Sequence, residues 1–276
     1  MVTAMRGDRA RSVLGETRFA DVRWVGETGS TNHDVADLAA AGAPEGVVVV
    51  ADRQHAGRGR LDRSWHAPAG GSLLVSILFR PMLGATDAHL LTTAVGVSAA
   101  AACRSVAGVA PRLKWPNDLV VEVERPGEAG GAEMSDRKLA GILAESTIAG
   151  GRLAAVVVGI GLNVNWPAEL PPDLADIAVA LNHLTGHEVD REDLLIALLS
   201  HLDAWCAVVQ APDGPRRLMD QARAWSATLG RRVRVDLGDE QIVGEAVELT
   251  DDGALVVGHD RRVVVAGDVV HLRPLD

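Results

Sequence analysis

Two neighbouring stretches decide the fold: residues 137–145 read Arg-Lys-Leu-Ala-Gly-Ile-Leu-Ala-Glu, and residues 153–163 read Leu-Ala-Ala-Val-Val-Val-Gly-Ile-Gly-Leu-Asn. Their apolar runs predict two buried strands, Lys138 to Glu145 and Leu153 to Val158. Gly159 to Asn163 then predicts a loop that another group approaches closely, because glycine has no Cβ.

Lys138 opens the first of these strands, so its stem is expected on or in the core. Most lysines in such a position extend their ammonium to the surface. The alternative is a partly buried ammonium, which would be a fixed positive charge directed at an anion. The residues alone leave both interpretations open.

The chain before these strands contains helices, strands and one long loop. Ser30 predicts the N-cap of a helix that ends near Gly42. Gln54 to Trp65 is polar, contains glycines and shows neither the helical nor the strand periodicity of apolar residues. This pattern is typical of a functional loop. Further elements are predicted at Val47–Ala51 (strand), Ser72–Phe79 (strand) and His89–Val106 (helix).

The later part of the chain ends in a different pattern. Residues 124–136 are polar and Gly-rich, which predicts a mobile hairpin tip, and disorder rather than a function is expected for residues 121–136. Asp190 predicts the N-cap of a core-facing helix, and a last helix is expected from about Pro215 to Ala227. Short β-branched runs then alternate with glycine turns at intervals of about ten residues, which predicts a small barrel. We therefore expect a domain boundary near residue 227.

Composition excludes several classes of protein. The chain of 276 residues carries 27 basic and 37 acidic side chains, and its charge of −10 excludes non-specific nucleic-acid binding as the main activity. Cys103 and Cys206 form neither a metal-binding nor a secreted disulfide pattern. No apolar run of about 18 residues and no signal peptide is found. We therefore expect a cytoplasmic protein without a membrane partner.

Two polar segments carry possible chemistry. In Gly57-Arg58-Gly59-Arg60 the glycines free the backbone to approach a ligand, and the guanidinium groups can bind phosphate or carboxylate in a fork. In Lys114-Trp115-Pro116-Asn117-Asp118 a cation, an aromatic ring, a turn and a carboxylate follow one another. A solvated turn is the alternative for the first segment, and a tight turn with a packed Trp for the second.

Taken in order, five segments resemble the biotin protein ligases. These segments are Glu27-Thr28-Gly29-Ser30-Thr31-Asn32, residues 54–60, residues 114–118, residues 137–145 and residues 159–163. The resemblance extends over about residues 22–276. It implies an α+β fold of the class II synthetase-like type, with a mixed sheet and flanking helices in residues 1–226. A small SH3-like β-barrel in residues 227–276 would follow.

The resemblance also implies an activity, the ATP-dependent activation of biotin to biotinyl-5′-adenylate and transfer of the biotinyl group to one lysine of a biotin carboxyl carrier domain. A carboxylate is a poor electrophile, and joining it to ATP phosphates requires fixed positive charge and backbone donors. A lipoate or octanoate ligase and a non-catalytic biotin-binding module are the alternatives. Gln54 and the Arg58–Arg60 loop favour biotin, and the presence of both Lys138 and Asp118 favours an enzyme.

Each matching residue receives a role by this resemblance. Catalysis is assigned to Lys138, which would contact the activated carboxyl, Asp118, which would face the incoming lysine, and Arg60. Biotin binding is assigned to Ser30, Thr31, Asn32, Gln54, Gly57, Arg58, Gly59, Arg60 and Lys138. Binding of ATP and the adenylate is assigned to Arg63, Trp65, Lys114, Asn117 and Asn163.

The remaining expectations concern cofactors, partners and departures from the family pattern. Mg²⁺ is expected with ATP, although no acidic cluster identifies its ligands. About 20 residues precede the first matching segment, too few for a helix-turn-helix module, so DNA is not an expected partner and a monomer is expected. The sequence departs from the family pattern at Asp62, where many members have Gly, and at Ile177 to Leu181, where hydroxyl side chains are often found.

Overall fold

The computed structural model describes residues 6–61, 63–81, 84, 87–126, 132–149, 152–238, 240–265 and 267–271. The helices are α1 (Asp8–Val13), α2 (Thr31–Ala40), α3 (His89–Ala107), α4 (Pro172–Ala175), α5 (Leu181–Thr185), α6 (Arg191–Val209) and α7 (Gly214–Ala224). The strands are β1 (Val22–Thr28), β2 (Val48–Gln54), β3 (Ser72–Phe79), β4 (Arg112–Lys114), β5 (Asp118–Pro126), β6 (Ala132–Ala149), β7 (Arg152–Asn163), β8 (Arg232–Asp236), β9 (Gln241–Leu249), β10 (Leu255–Val257), β11 (Arg262–Val264) and β12 (Asp268–His271).

The larger sheet has seven strands in the order β1-β2-β3-β7-β6-β5-β4. β1 and β2 are parallel, and the other neighbouring pairs are antiparallel, which confirms the expected mixed sheet. β7 lies in the middle, between β3 and β6. The two strands predicted from residues 137–163 are therefore central neighbours, and β3 beside them is buried along its whole length.

Helices cover both faces of this sheet. Val48 and Val50 of β2 belong to the main core, whereas Val47 and Val49 belong to a smaller core with Val35 of α2. Because alternate residues of a strand point to opposite faces, α2 covers one face, and α3, α6 and α7 pack together on the other. Among the described helices, α3 has the length and hydropathy of a membrane span, and its packing against α6, α7 and β6 accounts for that apolar composition.

The smaller sheet is antiparallel, with five strands in the order β11-β10-β9-β8-β12. It encloses its own core, which includes Val233, Val235 and Val257. Trp115 and Leu229 pack against this core and against the main one. The small C-terminal β domain is thus docked on the turn between β4 and β5.

Several local expectations are confirmed. Asp190 caps α6, because its Oδ1 accepts hydrogen bonds from the N–H groups of Glu192 and Asp193 at 2.7 and 3.0 Å. Ser30 precedes α2 as predicted, although its side chain makes no capping hydrogen bond. Cys103 and Cys206 are both buried and free.

Three expectations are corrected. The described part of residues 121–136 is not disordered, because β5 and β6 extend into it and pair as far as Pro126 and Ala132, while residues 127–131 lie outside the described residues. Gly159 to Asn163 is the end of β7 and not a loop. The last helix ends at Ala224 and not at Ala227, because residues 225–227 leave the helix to exchange backbone hydrogen bonds with Leu113.

Candidate active site

A cavity of about 570 Å³ lies over the ends of the central strands and under the smaller sheet. It brings together most of the residues assigned from the sequence, namely Ser30, Thr31, Asn32, Gln54, Arg58, Gly59, Arg60, Arg63, Trp65, Lys114, Asn117, Asp118, Lys138 and Asn163. Gly57 is not on the lining. It shapes the loop instead, since its carbonyl accepts a hydrogen bond from the Trp65 N–H at 2.9 Å.

One end of the cavity is polar and rigid. The side-chain amide oxygen Oε1 of Gln54 accepts hydrogen bonds from the backbone N–H and the hydroxyl of Thr31 at 2.8 and 3.0 Å. The Ser76 hydroxyl, buried on β3, lies 2.7 Å from the Thr31 hydroxyl and 2.6 Å from Asn32 Oδ1. This arrangement fixes the N-terminus of α2 against β2 and β3, so donors and acceptors are presented together.

Asn32 is bound more tightly into the fold than its assigned role requires. Its Nδ2 donates to Glu145 Oε2 at 2.7 Å and to the Leu143 carbonyl at 3.3 Å. A Cβ at Gly159 would lie 2.0 Å from Asn32 Oδ1, so only glycine admits this side chain. The amide of Asn32 therefore joins α2 to β6. Thr31 is buried as well, so Gln54 is the more accessible of the three side chains.

Lys138 stands in the middle of the cavity with its backbone fixed on both sides. Its N–H donates to the Ile177 carbonyl at 2.7 Å, and its carbonyl accepts from the Val179 N–H at 3.0 Å. These backbone contacts explain why the Ile177–Leu181 segment can hold this position without hydroxyl side chains. The Lys138 Nζ lies 2.8 Å from Asp118 Oδ1 and 5.4 Å from the ring centre of Trp65. Lys138 is therefore not a free surface lysine.

Two glycines form a floor on which the Trp65 indole lies. A Cβ at Gly161 would lie 2.5 Å from Trp65 Cε2, and a Cβ at Gly141 would lie 2.9 Å from Trp65 Cζ3. The close approach predicted for the Gly-Ile-Gly segment is thus confirmed, although it occurs on a strand. Asn163 follows on the same strand. Its Nδ2 donates to the Lys138 and Val179 carbonyls, and its buried Oδ1 has no hydrogen-bond partner among the described residues.

The arginines of the long loop reach in different directions. Arg58 donates to Glu145 Oε2 at 2.8 Å. Arg60 donates to the Asn117 side chain at 3.4 Å and to the Gly267 carbonyl at 3.3 Å. Arg63 forms an ion pair with Asp268 of the smaller sheet. The loop thus lies across the cavity and contacts both sheets.

Ionisable side chains are buried at the side of the cavity that lies beneath the smaller sheet. Burial lowers the pKa of Lys114, against the opposing influence of the Asp118 and Asp136 carboxylates. Asp136 Oδ2 lies 2.6 Å from His271 Nδ1 and 2.8 Å from an Arg231 guanidinium nitrogen. Burial lowers the pKa of His271 despite this carboxylate.

The geometry agrees with what related sequences indicate. The profile of the biotin/lipoate A/B protein ligase family matches residues 26–163, and that of the biotin protein ligase C-terminal domain matches residues 228–272. This chain belongs to the biotin protein ligase family. The first match contains the polar end, the arginine loop and Lys138, and the second contains the smaller sheet.

Relatives of this ligase match it over most of its length. The biotin--[acetyl-CoA-carboxylase] ligase of Mycobacterium tuberculosis is 39% identical over 90% of this chain and 88% of its own. The enzyme of the same name from Paracoccus denitrificans is 33% identical over 88% of this chain and 97% of its own. The structure of the Aquifex aeolicus biotin protein ligase with biotin and ATP superposes with a TM-score of 0.75 at 26% identity, covering 93% of this chain and all of that one.

The described part of this ligase contains no group of three His, Cys, Asp or Glu side chains that could hold a metal ion. The carboxylates that line the cavity are each paired with a cation. The pairs are Asp118 with Lys138, Asp136 with Arg231, Asp176 with Arg137, Asp236 with Arg234 and Asp268 with Arg63. These residues do not fit a protein-held Mg²⁺, because hard cations take several unneutralised oxygen ligands.

Sequence reasoning missed several residues of this ligase that shape the cavity. Ser76 and Glu145 hold Asn32 and Arg58, and Asp268 holds Arg63. Ser76 could have been found from the sequence, because it is a single hydroxyl side chain inside the apolar run Ser72–Phe79. Nothing local marks Asp268, because its partner lies 205 positions away.

Proposed function

We propose that this cavity is where the chain activates biotin with ATP to biotinyl-5′-adenylate and then transfers the biotinyl group to a lysine of a biotin carboxyl carrier domain. One observation carries the assignment. Lys138 is held 2.8 Å from Asp118, between a polar end and an arginine-rich loop. A cation fixed in this way stabilises the charge that develops when a carboxylate attacks a phosphate.

Biotin is proposed to lie with its ureido ring at the polar end. A ureido group has donors and an acceptor, so it needs both kinds of partner. Ser30, Thr31 and Gln54 present hydroxyl, amide and backbone groups there, and Gln54 is already fixed by Thr31 at 2.8 Å. Asn32 stabilises this end of the cavity through its hydrogen bond to Glu145. The carboxylate of biotin would then point towards Lys138 and Arg58.

The nucleotide is proposed to occupy the other end. Arg60, Arg63 and Lys114 supply positive charge for the phosphates, and the glycines let the backbone of the loop approach them closely. Trp65 offers an apolar face, while Asn117 and the Oδ1 of Asn163, which has no partner in the described part of the chain, offer polar groups for the adenylate. Closing the loop across the cavity excludes water from a hydrolysable anhydride.

Transfer of the biotinyl group requires a neutral acceptor amine. A lysine of pKa about 10.4 is neutral in only about one molecule in 2,500 at pH 7. Asp118 is proposed to receive and orient the acceptor ammonium and to take its proton. The carboxylate is positioned for this by its contact with Lys138.

The same proposal gives each domain a role and names the partners of the reaction. Residues 1–226 would bind biotin and ATP, and residues 227–276 would close the cavity through Asp268 and Gly267. Mg²⁺ would arrive held by the phosphates of ATP. The acceptor would be a carrier domain of a biotin-dependent carboxylase, and the protein would act in the cytoplasm as a monomer without DNA.

The deciding experiment incubates the purified chain with ATP, a carrier domain and radiolabelled biotin or lipoate. Label from biotin, but not from lipoate, is expected on the carrier. A carrier whose acceptor lysine is changed to arginine is the control. Label from lipoate alone would assign the chain to the other branch of the family, and tight biotin binding without label would make it a binding module.

A further inference from the structure

The distribution of lysines in this chain is unusual. Of its 27 basic residues, two are lysines, Lys114 and Lys138, and all the others are arginines. Both lysines line the 570 Å³ cavity. Outside the cavity, the chain therefore has no side-chain amine, and its α-amino group is the remaining primary amine.

This distribution bears on the chemistry of an acyl-adenylate. Such an anhydride acylates neutral amines, whereas a guanidinium keeps its proton at neutral pH and is not a nucleophile. The cations of the long loop, Arg58, Arg60 and Arg63, thus supply charge without a group that reacts with the acyl carbon. An amine near the adenylate is supplied by the two lysines only.

The two lysines differ in their surroundings. The Nζ of Lys138 is held in an ion pair, 2.8 Å from Asp118 Oδ1. Lys114 is the register partner of Asp118 across the β4–β5 hairpin, so both side chains lie on the same face of the sheet. Burial lowers the pKa of Lys114, which increases its neutral, nucleophilic fraction.

We propose that Lys114 is a self-biotinylation site, which accepts the biotinyl group from biotinyl-5′-adenylate held in the cavity when no carrier domain is present. This inference rests on the proposed function, because the adenylate must be bound. The neutral Nζ of Lys114 attacks the acyl carbon and forms a C–N bond. The bond from the acyl carbon to the phosphate oxygen breaks, AMP leaves with the electron pair, and the new amide nitrogen loses a proton to water.

The test uses the full chain with ATP and biotin, without carrier and with excess glycine. Glycine captures adenylate that has escaped into solution but does not compete with a side chain inside the closed cavity. Peptide mapping by mass spectrometry is expected to find one biotinyl group on Lys114. Because the transfer is intramolecular, its rate per molecule is expected to be independent of protein concentration.

Two variants provide controls. Lys114→Arg removes the amine and keeps a cation, so the biotinyl group is expected to disappear without moving to Lys138. Arg216→Lys adds an amine on α7, where the side chain is 62% exposed and does not line the cavity. Label on residue 216 is expected only when glycine is left out, because an amine on α7 meets only adenylate that has escaped from the cavity.

Pyrophosphate release from the same sample separates this inference from the proposed function. Purified biotinyl-5′-adenylate is also added directly, so that Lys114 is tested even if the chain makes none. Label on Lys114 from the added adenylate, with no pyrophosphate release, would support the inference and contradict the proposed activity. Label on Lys138 or on the α-amino group alone, or no label on the chain, would overturn the inference.

Discussion

Lys138 Nζ and Asp118 Oδ1 lie 2.8 Å apart inside the cavity, although 20 positions separate the two residues in the chain. The contact arises because β5 and β6 are neighbouring strands, with Asp118 opposite Gly141 and with a register shift between Leu119 and Val120. The two groups are assigned to different half-reactions, so their substitution should separate those steps.

Replacing each partner of this pair should therefore have a different effect. Lys138→Ala is expected to slow pyrophosphate release by about 10²–10³, because a contact to a developing anion contributes roughly 2–4 kcal/mol. Asp118→Asn is expected to keep most of the adenylation rate but to slow transfer to the carrier, with the defect decreasing as pH rises. Single-turnover assays of each step measure both. Equal losses of the two steps in both variants would mean that the pair is structural.

The glycines of β7 allow a matched comparison. A Cβ at Gly159 would lie 2.0 Å from Asn32 Oδ1, and Asn32 is held by Ser76 and Glu145. Gly159→Ala is therefore expected to lower the free energy of unfolding by about 1–3 kcal/mol. Gly161→Ala would instead displace the loop residue Trp65, so its stability is expected to change by less than about 0.5 kcal/mol.

Denaturant unfolding and calorimetric titration with biotin and ATP distinguish these two variants. Gly161→Ala is expected to weaken nucleotide binding, because the indole can no longer lie on the strand. Similar stability losses for both variants would show that Trp65 is as firmly packed as Asn32.

Much of this site could be predicted because its chemistry is concentrated in short segments. Lys138 begins an apolar strand, and residues 57–60 place arginines between glycines, so a local pattern identifies them. The backbone pattern also predicted α2, α3, β3 and α6. Such patterns work where a residue's role depends on its own periodicity or on neighbours a few positions away.

The rest of the site depends on contacts that no local pattern contains. Glu145 accepts hydrogen bonds from Asn32 and Arg58, which lie 113 and 87 positions away in the chain. Asp268 forms an ion pair with Arg63, which lies 205 positions away. The strand character of residues 132–136 was missed for the same reason, because their polar side chains are ordered by pairing with β5 and not by burial.

The contact between the two sheets should weaken in acid through His271. The pKa of this buried imidazole lies below its ordinary value of 6.5, because burial disfavours its charged form, while Arg231 and Lys114 oppose its protonation and Asp136 favours it. The unfolded state therefore takes up a proton first as pH falls. Stability from this group is present above pH 6.5 and is lost as the pH falls from there through the folded-state pKa.

Chemical unfolding at about pH 8 and about pH 5.5 measures this effect, and His271→Asn is expected to show a smaller loss on acidification. The pKa of Asp136 is also lowered, since the hydrogen bond from His271 and the charge of Arg231 outweigh burial. Its contribution is lost only as the pH falls below 3.8, outside this interval. An equal acid response in wild type and His271→Asn would assign the sensitivity to another group.

Arg60→Gly should leave adenylation largely intact but let the intermediate escape. Arg60 connects the loop to Asn117 and to the Gly267 carbonyl of the smaller sheet, so its loss removes a contact that closes the cavity, while Lys138 keeps its charge beside the reacting carboxyl. Released biotinyl-5′-adenylate should then label exposed lysines of an added bystander protein such as albumin. Arg261→Gly is the control, since its guanidinium is 62% exposed and its φ of 52° suits glycine. Label confined to the carrier lysine at the wild-type rate would show that Arg60 does not retain the adenylate.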